Sequence, residues 1–156
     1  MIKRILILLL ALAPAAAGAA TTCSFSSTPG MSFGAYDDSS ATATDATTSI
    51  VVSCARSGGP TPVNATLQAG PSAGSGLIAT RSMRSGANVM NYNLYRDSGR
   101  SQVWGQTSGV DTSSISITVP NNGSASGTFV IYGRIPALQN VPAGPYSDSV
   151  LLTISP

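Results

Sequence analysis

Histidine and glutamate are absent from this sequence, and its one lysine stands at position 3. Each absence removes a class of chemistry. Without imidazole there is no Ser-His-Asp or Cys-His arrangement and no histidine metal site. With no lysine in the body of the chain there is neither a Ser-Lys pair nor a Schiff base. Paired carboxylates could come only from aspartates, and the nearest two, Asp37 and Asp38, are adjacent. In a strand they would point to opposite faces, so a surface-loop pair is the better reading. Calcium binding by Asp37, Asp38 and Asp45 lacks an ordered Asp-rich loop pattern, and no metal or cofactor is expected. No enzymatic activity is expected either.

Charge is scarce, at 9% of residues against about a quarter in ordinary globular chains. Lys3 and Arg4 precede the apolar run Ile5 to Ala13, and small residues follow through Ala20, the pattern of a secretory signal peptide over residues 1–20. Pro14 and Gly18 interrupt the run too early for a membrane span. If the signal leaves, Arg56, Arg81, Arg84, Arg96, Arg100 and Arg134 balance the six aspartates, for a side-chain charge of zero. Such a surface favours association over colloidal repulsion and offers no basic stripe for nucleic acid.

About 135 residues remain, enough for one domain over 21–156. In an oxidising compartment the only two cysteines, Cys23 and Cys54, are expected to form one disulfide. The chain is rich in Ser, Thr, Gly and Val, has no helical periodicity, and shows short apolar alternations between turn clusters, which predicts an all-β sandwich. Strands are expected at 49–54, 62–69, 77–84, 89–96, 113–119, 127–135 and 149–155, with a shorter one near 23–26. Residues 35–47 are expected to be a polar loop or weak edge strand.

Period two places Met90, Tyr92 and Leu94 on one face and Ile115, Ile117 and Val119 on another, both core candidates. Asp97-Ser98-Gly99 and Asn121-Asn122-Gly123 supply turn chemistry for tight reversals. Asn64 and Asn122 begin sequons, which matter only in a glycosylating host. Tyr92, Tyr95, Trp104, Tyr132 and Tyr146 could form a carbohydrate-stacking platform, although core and strand-edge packing is the plainer reading. Between Arg134 and Asp148 lie Pro136, Pro142 and Pro145 with Gly144, the composition of a rigid crossing loop, and Arg134 and Asp148 are expected to pair across it.

Three stretches combine into a pattern. Residues 81–105 carry Arg81 and Met83, then Tyr92-Asn93-Leu94-Tyr95 with Asp97, then Trp104-Gly105; residues 132–154 carry Tyr132-Gly133-Arg134, Pro136, Gln139, Gly144, Tyr146 and Asp148. Together with Cys23 and Cys54, these motifs resemble the spore coat protein U domain family. The resemblance covers the chain beyond the signal. It implies an immunoglobulin-like sandwich, lacking its final strand, that serves as a subunit of a bacterial surface fibre of the archaic chaperone-usher class, exported through the periplasm and used in adhesion and biofilm formation. The implied partners are a periplasmic chaperone, an outer-membrane usher and a neighbouring subunit that donates the missing strand.

Two departures qualify the resemblance. Fibre-forming members carry an apolar donor strand before the first cysteine, whereas here only Thr21 and Thr22, with or without Ala20, lie between the expected cleavage site and Cys23. This predicts a strand acceptor that does not donate, at a fibre tip or end. The last strand finishes in Thr153-Ile154-Ser155-Pro156, where the family usually carries an aromatic residue. The alternative is a free-standing secreted sandwich, a coat or glycan-binding module.

Overall fold

The structure, a computed structural model, describes residues 20–59 and 61–156, so the expected signal peptide lies almost wholly outside the described residues. Period-two burial governs the strands. In β2 (Thr44–Arg56) Ile50, Val52 and Cys54 turn inward, and in β7 (Ser124–Ile135) Phe129, Ile131, Gly133 and Ile135 do the same. These two long strands pair antiparallel from Thr44↔Ile135 to Ala55↔Ser124 and form the centre of a five-stranded sheet. Its order is β1-β2-β7-β5-β4, with β1 at Thr21–Ser27, β4 at Arg81–Ser85 and β5 at Asn88–Tyr95.

A second sheet of order β6-β3-β8 packs across it, from β6 (Ser113–Val119), β3 (Thr61–Ser72) and β8 (Val150–Ser155). Ala65, Leu67 and Ala69 of β3 and Ile117 and Val119 of β6 meet Val52, Phe129 and Ile131 in one core. The result is an immunoglobulin-like β-sandwich, and β6 has the boundaries the sequence predicts. Cys23 and Cys54 face each other across β1 and β2 and form the expected disulfide.

The boundaries differ from expectation in informative places. Residues 44–47 belong to central strand β2 rather than to a loop, because the inward positions ahead of Ile50 hold only Thr44, Ala46 and Thr48, too small or too polar to show an alternation in the sequence. Residues 77–80 lie outside β4: Gly76 at φ 72° closes a turn in which Ser72 N donates to Leu77 O and Ser75 Oγ to Thr80 O. Positive φ falls on Arg100 (56°) and Asn122 (47°) rather than on the glycines beside them. Asn122 is anchored there by Gly58 N, which donates to its Oδ1 at 2.8 Å. Gly123 is required for space, since a Cβ would lie 2.8 Å from Pro120 Cγ.

Candidate functional site

β8 is hydrogen-bonded to β3 along one edge, from Thr66↔Ser155 to Ser72↔Val150, and its other edge has no strand partner among the described residues. Its core-facing side chains, Val150, Leu152 and Ile154, are therefore only half-buried. β1 shows the same defect from the opposite sheet. Register pairs Phe25 with Val52, so Phe25 lies on the core face, yet Phe25 is 37% exposed while Val52 is 0% exposed. Between β8 and the first sheet lies a groove of about 530 Å³, with Ile50, Leu94, Trp104 and Ile131 among its lining and Val150 and Leu152 along its rim. Half-buried apolar side chains and an unpaired strand edge thus lie side by side above the core, the arrangement that accepts an added strand.

The motif residues hold the frame around this groove. Arg81 is wholly buried; its Nη1 donates to Asn93 Oδ1 at 2.8 Å, and its Nη2 to the carbonyls of Ala69 (3.1 Å), Gly70 (2.8 Å) and Trp104 (2.8 Å). Burial pushes its pKa down, and its Nε has no partner. Trp104, 1% exposed, donates from Nε1 to Leu67 O at 3.0 Å, tying the 96–112 excursion to β3 in the opposite sheet. Gly105 N donates to Asp111 O while Gly105 O accepts from Ala69 N, and a Cβ at Gly105 would collide with the Asp111 carboxylate. Asp97 holds its own turn by accepting from Ser101 N and Gln102 N, which keeps its pKa below the usual carboxylate range.

Gln139 stands in for a strand. Its side-chain amide accepts from Asn91 N at 2.7 Å and donates to Asn91 O at 2.8 Å, pairing β5 beyond Asn93, where β7 no longer reaches. Tyr36 secures this loop by donating from its hydroxyl to Pro136 O and accepting from Gln139 N. Tyr146 OH donates to Pro142 O, Gly144 approaches Ser85 Oγ, and Met83 faces Met90 across β4 and β5.

The expected Arg134–Asp148 pair is not formed. Arg134 bonds Asp45 through Nε at 2.7 Å and Nη2 at 2.9 Å, and Arg100 Nη1 joins the same carboxylate at 3.2 Å. The cause is register, because Asp45 and Arg134 are directly opposite in the β2–β7 ladder. The hydrogen bond from Arg134 holds Asp45 below the ordinary carboxylate range and raises Arg134. Asp148 turns to the groove, where it accepts from Tyr92 OH at 2.6 Å and Gly74 N at 2.8 Å. Burial, and then the bond to Asp148, pushes the Tyr92 phenol well up.

The aromatic side chains do not assemble a platform. Trp104 and Tyr92 are in the core, Tyr95 and Tyr132 are opposite each other in the β5–β7 ladder with the Arg100 guanidinium 5.7 Å from the Tyr132 ring, and Tyr146 lines the groove. No group of three His, Cys, Asp or Glu residues is brought together among the described residues. The groove itself escaped the sequence reading in its detail: alternation marks Val150, Leu152 and Ile154 as a strand face, but which neighbour that strand lacks depends on the tertiary arrangement.

The model of the Spore Coat Protein U domain matches residues 9–153. The chain belongs to that family. This spore coat protein U domain is 36% identical over 88 residues to Protein U of Myxococcus xanthus, a match covering 54% of this chain and 46% of that protein. It thus spans about half the length of that relative. Its fold is similar to a chain in the crystal structure of the CsuC–CsuE chaperone-tip adhesion subunit pre-assembly complex from the archaic chaperone-usher Csu pili of Acinetobacter baumannii. That likeness has a TM-score of 0.55 at 17% identity and covers 86% of this chain and 39% of the other, so it concerns the fold alone.

Proposed function

We propose that this spore coat protein U domain is a non-catalytic subunit of a bacterial surface fibre, assembled by a chaperone-usher system through acceptance of a strand from a partner. The observation that carries the reading is the groove beside the free edge of β8, where Val150 and Leu152 face the core half-buried, with Ile154 half-buried further along β8 and Phe25 37% exposed on the core face of β1. An inserted strand would extend the β6-β3-β8 sheet and seat alternate side chains over Ile131 and Trp104. A periplasmic chaperone would fill the groove during export, an outer-membrane usher would exchange it, and the neighbouring subunit would fill it in the fibre.

We propose a position at a fibre tip or end, a reading that β1 supports. Thr21 and Thr22 are paired to Arg56 and Ala55 within the domain's own sheet, so they are not available to a neighbour, and the apolar run before them has the pattern of an export signal. The reading is tested by the thermal midpoint of the folded chain with synthetic N-terminal extensions of candidate neighbouring subunits. A ligand that binds only the folded state at a hundred times its Kd adds about 2.7 kcal/mol. A clear rise with one peptide supports the acceptor reading. A midpoint indifferent to all of them, in a chain that stays monomeric, overturns it.

A further inference from the structure

Two cavities open along the sandwich interior, one of about 530 Å³ beside β8 and one of about 480 Å³ bordered by Met90, Ile135 and Val141. Both are lined by Met31, Phe33, Met83 and Tyr146. The cavities are therefore two halves of one cleft, and these four side chains form the partition. Ile131 lines the first half and Ile135 the second; between them on the core face of β7 is Gly133. A Cβ there would collide with Met31 Sδ and the Phe33 ring. Phe33 is further fixed by an edge contact with Tyr92, ring centroids 5.9 Å apart. Met31 and Phe33 thus stand on a gap in β7 that only glycine leaves.

The backbone carrying this wedge is lightly held. Among the described residues no backbone–backbone hydrogen bond involves Thr28 to Tyr36, and Thr48 Oγ1 donates only a weak bond, at 3.4 Å, to Pro29 O. The position of the segment therefore rests on the Met31 and Phe33 side chains and on Tyr36 at its end.

The geometry points to Met31 and Phe33 as the residues that set the length and register of the accepted strand, an inference that rests on the acceptor reading above. β8 presents three inward positions, Ile154, Leu152 and Val150. A strand paired with it antiparallel would seat three apolar side chains in that order. Its fourth inward position would arrive at the partition, with Asp148 and Tyr146 on one wall and Met31 and Phe33 on the other, where Met31, Phe33 and Tyr146 separate the first half of the cleft from the second. The ligand class is thus a short extended segment with three alternating apolar side chains.

The test appends a flexible Gly/Ser linker and a Val/Thr alternating strand after Pro156, so that docking is intramolecular and favoured by effective concentration. Fusions carrying three or four inward valines are compared with linker alone, in the native sequence and in the Met31→Ala/Phe33→Ala variant, by thermal midpoint. In the native sequence three valines are expected to raise the midpoint and the fourth to add nothing. In the variant the fourth valine is expected to add about 5 °C or more, since it fills the vacated seat. If the fourth valine adds equally in both backgrounds, or in neither while three valines stabilise both, the wedge is refuted and the acceptor reading stands. If neither fusion exceeds linker alone, both fall together.

Should the double variant not fold, Met31→Ala alone supplies the same comparison. Deuterium uptake over residues 28–36 provides an independent measurement in the native background. Uptake unchanged by the four-valine fusion is expected, and an increase would mean that the strand displaces the wedge.

Discussion

Replacing Arg81 by methionine isolates the contribution of the buried guanidinium. The substitution roughly conserves volume and removes a desolvated charge, which by itself is favourable. Against this, three carbonyls lose their charged donor at once: Ala69, Gly70 and Trp104. Asn93 Oδ1 keeps a bond from Leu94 N, so it is not orphaned. An unsatisfied buried acceptor costs about 1–3 kcal/mol, and relief of guanidinium burial offsets part of the sum, leaving an expected loss of about 3–5 kcal/mol. Arg81→Lys retains the charge but not the planar fork that reaches Asn93 and three carbonyls together, and should lose more than half as much. Urea unfolding followed by the fluorescence of Trp104, the only tryptophan and 1% exposed, reads the difference. A methionine variant within about 1 kcal/mol of the native protein would refute the reasoning, because the carbonyls would then have to be satisfied without the guanidinium.

Other substitutions test separate parts of the frame. Replacing Cys23 and Cys54 by serine removes a cross-link spanning 31 positions and is expected to cost about 3–4 kcal/mol in the chain-entropy model, read as a lower denaturation midpoint under oxidising conditions. Asp45→Asn should cost less than about 1 kcal/mol at neutral pH, the pair with Arg134 being part-exposed. Because Asp45 titrates below its unfolded value, its contribution is complete above the unfolded carboxylate pKa of about 4 and is lost as the pH falls through the lower folded value, so the native protein and the Asp45→Asn variant should converge in stability in acid. Tyr92 has a raised pKa, so its contribution is complete below about pH 10 and is lost as the pH rises further; the native protein should destabilise more steeply in alkali than Tyr92→Phe, measured by urea midpoints.

What could be read from the sequence follows the range of the interactions. Alternation over five to seven residues is local, so β6 and the core face of Met90, Tyr92 and Leu94 were legible. Where small residues occupy the inward positions the signal vanishes, as at Ala46 and Thr48, although the strand they belong to is central. The partner of Arg134 was not legible for a different reason. Asp148 lies at the far end of the same loop, whereas Asp45 is 89 residues away and becomes a neighbour only through the β2–β7 register. The motif around Arg81, Asn93 and Trp104 was visible as a pattern, but its purpose was not, since the acceptors of the guanidinium are backbone carbonyls that every residue carries.

The outer faces bear on how such a chain can behave with its groove open. Long cross-strand rows there are uncharged, among them Ser24, Ser53 and Ser126 on the first sheet and Ser114, Thr66 and Ser155 on the second. Where Asp45, Arg100 and Arg134 do gather, their charge is largely spent on pairing. Natural edge strands are commonly guarded by charged side chains or by a covering element, and β8 offers Leu151, 77% exposed, with Thr153 and Ser155. Electrostatic repulsion therefore does little to keep two open copies apart, and the free edge and the half-buried Val150, Leu152 and Ile154 favour pairing with whatever strand is nearest. On the assembly route proposed above, solubility would come from occupancy of the groove, and timely filling by a partner would be a physical requirement of that route.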